Sequence, residues 1–116
     1  MTEERQLEKT NRINLLFDFY GQLLTDKQRT FLAFYFHEDY SLGEIAANFE
    51  ISRQAVYEHI KRAEVTLEEL EMKLQLLAKH EERGRIVRHI ELKLAEVPVE
   101  TGHELNSLVQ QLYNLD

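Results

Sequence analysis

The chain has 116 residues with 14 basic and 21 acidic side chains, a net charge of -7, and 43% hydrophobic residues, enough for the core of one compact domain and too short for two ordinary ones. The acidic balance opposes any general attraction to nucleic acid or anionic lipid, so a nucleic-acid contact would have to be local. With no cysteine there is no disulfide framework, thiol nucleophile or thiolate metal site.

One proline and four glycines leave few breakers in a chain rich in Leu, Glu, Lys, Gln and Ala, which favours an all-α fold in a single domain over residues 1–116. No segment approaches the roughly 20 apolar residues of a membrane span. The opening Met1-Thr2-Glu3-Glu4-Arg5 is acidic and polar where a secretory signal is basic and then apolar, so a cytoplasmic location is expected.

Ile13, Leu16, Phe17 and Tyr20 share one helical face and define a first helix over residues 7–20. Thr25 followed by Gln28 has the form of a capping box and starts a second helix that should run to Phe36. Its stripe Phe31, Leu32, Phe34, Tyr35 and Phe36 covers most of the circumference, and is expected in the core with any excess forming an interface patch. His37 to Tyr40 make a polar break. Ser41 and Glu44 repeat the capping box before a short third helix with Ile45, Ala46 and Phe49 on its apolar side.

Glu50 and Ile51 form the next break, and Ser52 caps a fourth helix that meets no Gly or Pro before Gly84. Along it Val56, Ile60, Ala63, Leu67, Leu70, Leu74 and Leu77 alternate spacings of four and three, a heptad seam that needs a packed partner. An unbroken helix from residue 52 to about 82 would span roughly 46 Å, so part of it should project. The projecting leucines predict a homodimer with Ala63, Leu67, Leu70, Leu74 and Leu77 at its interface; packing against the other helices of the same chain is the alternative. Ile86, Ile90 and Leu94 mark a fifth helix after Gly84, ended by Pro98, and Leu105, Leu108, Val109 and Leu112 a sixth after Gly102.

The third and fourth helices, joined by a tight turn, form a helix-turn-helix whose second member begins near Ser52, the frame that sets a recognition helix into a DNA major groove. Ile45, Ala46, Ile51, Val56 and Ile60 would fix the angle between them. The outward face of the fourth helix offers Arg53, Gln54, Tyr57, Glu58, Lys61 and Arg62, side chains able to meet bases and phosphates. A plain solvated face is the alternative. Over residues 50–64, Arg53, Lys61 and Arg62 are offset by Glu50, Glu58 and Glu64, so the stretch is neutral unless His59 is protonated.

The five histidines never show the paired spacing of a zinc-protease helix, Ser41, Ser52 and Ser107 lack a nucleophile-elbow context, and there is no Gly-rich phosphate loop. The expectation is a non-enzymatic protein without metal or cofactor.

Leu24-Thr25-Asp26-Lys27-Gln28-Arg29, Tyr40-Ser41-Leu42-Gly43-Glu44-Ile45-Ala46 and Ile51-Ser52-Arg53-Gln54-Ala55-Val56-Tyr57 resemble region four of bacterial sigma factors over residues 24–70, leaving residues 71–116 as a helical extension. Leu15-Leu16-Phe17-Asp18-Phe19-Tyr20, together with Ser52 to Tyr57 and Ile60-Lys61-Arg62, is similar to the YlxM family over most of the chain. That family occurs mainly in low-GC Gram-positive bacteria, its gene commonly beside that of the GTPase of the signal recognition particle. The resemblance implies an accessory or regulatory role in that targeting pathway, with DNA, the particle's RNA or a particle protein as partner. A protein-binding adaptor that keeps the sigma-like scaffold without DNA recognition is the rival expectation.

Overall fold

The computed structural model describes residues 2–115, which are all-α, with no strand among them. They form two compact units, one ending at Leu77 and one beginning at Ala78.

In the first unit, α1 (Glu3–Tyr20) is capped by the Thr2 hydroxyl, which accepts from the Arg5 N–H, and buries Ile13, Leu16 and Tyr20 at helical spacing. A single 3₁₀ turn, Gly21–Leu23, leads to α2 (Asp26–Leu32). The α2 capping box is complete: the Gln28 N–H donates to Thr25 Oγ1 at 3.1 Å, and the Thr25 N–H donates to Gln28 Oε1 at 3.2 Å.

The second helix does not stay α-helical to Phe36. Its last stretch, Ala33–His37, widens into a π turn, closed by Glu38 N–H to Ala33 O and followed by Asp39 in the left-handed region. The wider turn spreads the aromatic stripe. Phe31 and Leu32 are buried, Phe34 and Phe36 pack on the core from its edge, and Tyr35 is partly exposed. Phe34 stacks on Tyr40 at 5.0 Å, and Phe31 meets Phe49 edge-on at 4.9 Å.

α3 (Leu42–Phe49) opens on the Ser41–Glu44 capping box, with hydrogen bonds of 3.0 and 3.2 Å. α4 (Arg53–Leu74) follows, packed against α1, α2 and α3. Its inner face, Val56, Ile60, Ala63 and Leu67, is fully buried against Leu16, Phe31, Leu32 and Ile45. Arg12 clamps α1 to α4 by a two-pronged pair with Glu68 at 2.7 and 2.9 Å.

α4 is shorter than its uninterrupted sequence led us to expect. It stops at Leu74, where Gln75 turns left-handed with φ 57° and its N–H bonds back to Glu71 O. The cause is a buried polar knot. The Tyr20 hydroxyl donates to Glu71 Oε1 at 2.6 Å and accepts from the Leu76 N–H at 3.0 Å, while Glu71 Oε1 also accepts from the Leu77 N–H at 3.0 Å. Two amides at the start of the next helix, orphaned by the break, are thus satisfied from α1 and α4.

The break also redistributes the heptad seam. Ala63, Leu67 and Leu77 are buried inside the chain itself and Leu70 packs on the same core in part, which leaves Leu74 exposed. α4 ends at Leu74, and its buried stripe packs against α1 and α2.

α5 (Leu76–Leu94), which from Ala78 on belongs to the second unit, begins well before Gly84, which lies within it, and ends four residues short of Pro98. α6 (Val99–Tyr113) starts ahead of Gly102. Both glycines mark close approach where the sequence read as a break: a Cβ on Gly102 would sit 3.2 Å from Leu94 O, and one on Gly84 would touch the Tyr113 hydroxyl at 3.4 Å. The pair is fastened by Gln110 Nε2 donating to Glu91 Oε1 at 2.6 Å and by His80 stacked on Tyr113 at 5.6 Å.

Candidate nucleic-acid interface

The turn between α3 and α4 is built from local rules. Glu50 occupies the left-handed region at φ 55°, ψ 41°, which for a residue with a Cβ costs on the order of 1 kcal/mol, and its N–H caps Ala46 O. The Ile51 N–H bonds to the same carbonyl at 3.1 Å. Ser52 then accepts from the Ala55 N–H at 3.0 Å and starts α4. Ala46, Ile45, Val56 and Ile60 are buried between the helices, Ile51 packs against them in part, and the small Ala46 side chain permits the close crossing.

This rigid corner leaves the first turns of α4 outward. Arg53, Gln54, Tyr57, Glu58 and Arg62 are exposed and Lys61 is half-buried. Arg53, Gln54, Tyr57 and Leu42 of α3 line a shallow concavity. Arg53 makes no ion pair among the described residues. Gln54 Nε2 lies 3.5 Å from Glu58 Oε1, and Arg62 reaches the other oxygen of Glu58 at 3.8 Å, so Glu58 sits between an amide and a guanidinium on the helix surface.

Lys61 is placed by three neighbours. Its ammonium lies 3.4 Å from Glu64 Oε2 and 5.5 Å from the centre of the Tyr57 ring, and Lys9 of α1 meets the same Glu64 oxygen at 3.6 Å. The neighbouring Lys61 ammonium, followed by burial, holds the Lys9 ammonium below its ordinary value, and the Glu64 carboxylate that both lysines meet offsets part of that repulsion. They flank a cleft of about 170 Å³ lined also by Gln6, Thr10, Tyr35 and Phe36.

His59 adds no charge to this surface at neutral pH. Burial beside Phe31, reinforced by Lys27 and Arg62, holds its imidazole below the usual value. Sequence reasoning missed the two lysines that the fold brings to α4, Lys9 from α1 and Lys27 from α2, because both lie far outside the stretch whose charges sum to zero. No periodicity signals them; only the packing of α1 and α2 on α4 does.

Towards its C-terminal half the outer face of α4 changes character, with exposed Val65 and Met72 among Glu68 and Glu69. Among the described residues there is no cluster of three or more groups able to hold a metal ion, and no helix is long and apolar enough to cross a membrane.

A family model described as "Putative helix-turn-helix protein, YlxM / p13 like" (UPF0122) matches residues 7–105. Similar curated proteins include UPF0122 proteins of Halalkalibacterium halodurans, 52% identical over 110 residues that cover 95% of this chain and 99% of the relative, and of Bacillus mycoides, 50% identical over the same coverage. One from Listeria welshimeri is 48% identical over 109 residues, covering 94% of this chain and 98% of the relative.

Proposed function

Because this chain belongs to the UPF0122 family of YlxM/p13-like helix-turn-helix proteins, we propose that it is a non-enzymatic, cytoplasmic regulatory or accessory protein that binds nucleic acid with the N-terminal half of α4. One observation carries this reading: a capped, left-handed turn fixes α4 against α3 so that Arg53, Gln54 and Tyr57 stand outward together, with Lys61 and Lys9 beside them. Arg53 and the lysines suit phosphate, while Gln54, Glu58 and Arg62 are of the types that read base edges. The finer reading is action in the signal recognition particle pathway, with the particle's RNA as a ligand alongside DNA; its support is the gene association that the family resemblance implies.

Binding is tested by titrating genomic DNA fragments and, separately, the particle RNA across a salt series, for the parent and for Arg53→Ala with Lys61→Ala. Log affinity for DNA falls by about 0.9 per neutralised phosphate for each log unit of salt, and the double variant binds more weakly with a slope shallower by roughly 1 to 2. Equal affinity and slope in parent and variant refute the assignment to α4.

A second reading, a protein-binding adaptor, is favoured by a specific feature. Glu58 and Glu64 already hold Arg62 and Lys61, and beyond them α4 exposes Val65 and Met72 between acidic side chains, a surface suited to protein. It predicts no binding of either nucleic acid even at low salt.

A further inference from the structure

We propose that the cleft between α1, the π turn, α3 and α4 takes one unstacked nucleotide, with its base against the rings of Tyr35 and Tyr57 and its phosphate against Lys9 and Lys61. The proposal rests on the nucleic-acid reading above and narrows it. The cleft accepts a base that has left its stack, from a single strand or as a free mononucleotide, and not one paired within a duplex.

The fold assembles this cleft from four elements. Gln6, Lys9 and Thr10 share one side of α1, and Tyr57, Ile60, Lys61 and Glu64 one side of α4, each set at helical spacing. Between them stand Tyr35 and Phe36 of the π turn and Leu42, the first residue of α3. Ile60 is buried and belongs to the core, whereas Tyr35 and Tyr57 remain partly exposed. At about 170 Å³ the cleft is close to the roughly 150 Å³ of a cavity that holds benzene, so it admits one ring system and no base pair.

Charge selects the anionic part of the ligand. Lys9 Nζ at 3.6 Å and Lys61 Nζ at 3.4 Å meet the same oxygen of Glu64, so two ammoniums share one carboxylate and a positive charge is left in excess. The Glu64 side chain is 11% exposed and those of the lysines 44% and 42%, so an anion arriving from solvent meets the ammoniums before the carboxylate. The Lys61 ammonium holds Lys9 below its ordinary value, and a phosphate between them relieves that repulsion.

The walls select the rest of it. Aromatic rings take the face of any base, and the Gln6 amide and Thr10 hydroxyl can hydrogen-bond its edge. Lys61 lies 5.5 Å from the centre of the Tyr57 ring, which puts a ring site and a phosphate site within reach of one nucleotide. A base inside a duplex has both faces covered by its neighbours and offers only its groove edges, which suit the outward Arg53 and Gln54 instead. Tyr57 and Lys61 belong to both surfaces, so a strand that places one nucleotide in the cleft keeps its neighbours on α4.

The test titrates the full chain at one low salt concentration with three probes: an unstructured single-stranded RNA of mixed sequence, a DNA duplex of the same length, and uridine monophosphate. Tyr35→Ala should weaken single-strand binding at least about fivefold, as loss of one stacked base requires, and leave duplex binding within about twofold. Tyr35→Phe should restore it, while Tyr35→Leu, which keeps apolar bulk without a ring, should not. Lys9→Gln should make the single-strand salt slope shallower by about 0.7. Uridine monophosphate should shift the methyl signals of Leu42 and Ile60 in the parent and not in Tyr35→Leu. Methyl shifts without an effect of Tyr35 on strand affinity would assign the cleft to a free nucleotide, and the reverse to a strand. Absence of both overturns the proposal. So does an equal loss of duplex and single-strand binding in the Tyr35 variants, or inorganic phosphate that shifts the same methyls as far as the nucleotide does. Duplex binding that is lost in Arg53→Ala but indifferent to Tyr35 keeps the α4 reading even if the cleft fails, whereas a Tyr35 effect without any duplex binding keeps the cleft alone.

Discussion

Replacing Tyr20 by Phe removes one oxygen and leaves the ring in place, which isolates the knot that ends α4. The hydroxyl has two partners, Glu71 Oε1 at 2.6 Å and the Leu76 N–H at 3.0 Å, and Tyr20 itself is fully buried. A hydrogen bond to a charged group contributes about 1.5 to 3 kcal/mol net, and the loss of an acceptor for a partly buried amide adds about 1 kcal/mol more. Tyr20→Phe should therefore destabilise the protein by about 2.5 to 4 kcal/mol. Urea unfolding followed by circular dichroism would show a lower midpoint with an unchanged slope. Combining it with Glu71→Ala in a double-mutant cycle should give a coupling of at least about 1 kcal/mol, because both substitutions remove the same bond.

The knot has a pH signature too. Burial and then the Glu71 hydrogen bond raise the phenol above its usual value, so its contribution is fully present below about pH 10 and is lost as pH rises from there through the raised value. Tyr20→Phe should flatten that alkaline loss in part, the other tyrosines keeping the remainder. A Tyr20→Phe protein within about 0.5 kcal/mol of the parent at neutral pH would refute the claim that this hydroxyl holds the α4–α5 break.

Ala46→Glu places a carboxylate between α3 and α4 and should cost on the order of 3 kcal/mol or more; melting within a degree or two of the parent would mean the two helices are not packed as described. His59 is held below its ordinary value, so its contribution to stability is complete above about pH 6.5 and is lost as pH falls through the lowered value. The parent should lose stability between pH 6.5 and 5 by more than His59→Gln does, and parallel curves of unfolding midpoint against pH would contradict that.

The elements governed by short-range rules were legible in the sequence. Thr25 with Gln28, Ser41 with Glu44, and Ser52 start helices where their hydroxyls predict, and the apolar faces of α1, α3 and α4 point into the core as their spacing requires. What could not be read depends on contacts distant in sequence. Gln75 has no turn chemistry of its own; α4 stops there because Tyr20, 51 residues from Glu71, completes a buried network. Gly84 and Gly102 look like breakers in one dimension and prove to be points of close helix approach in three. At the candidate interface, the residues from Arg53 to Arg62 are contiguous on one helix and so could be named, but their charge environment could not, since Lys9 and Lys27 arrive from other helices and the burial of His59 keeps it neutral.

The central claim, that the N-terminal half of α4 is the nucleic-acid surface, is tested most directly by backbone amide chemical shifts of the full chain on titration with short mixed-sequence DNA duplexes and with the particle RNA at low salt. The account predicts that the perturbed amides cluster from Ser52 to Arg62, with weaker changes at Lys9 and Lys27. Changes confined to the stretch from Val65 to Met72 or to α6, or none with either nucleic acid, would contradict it.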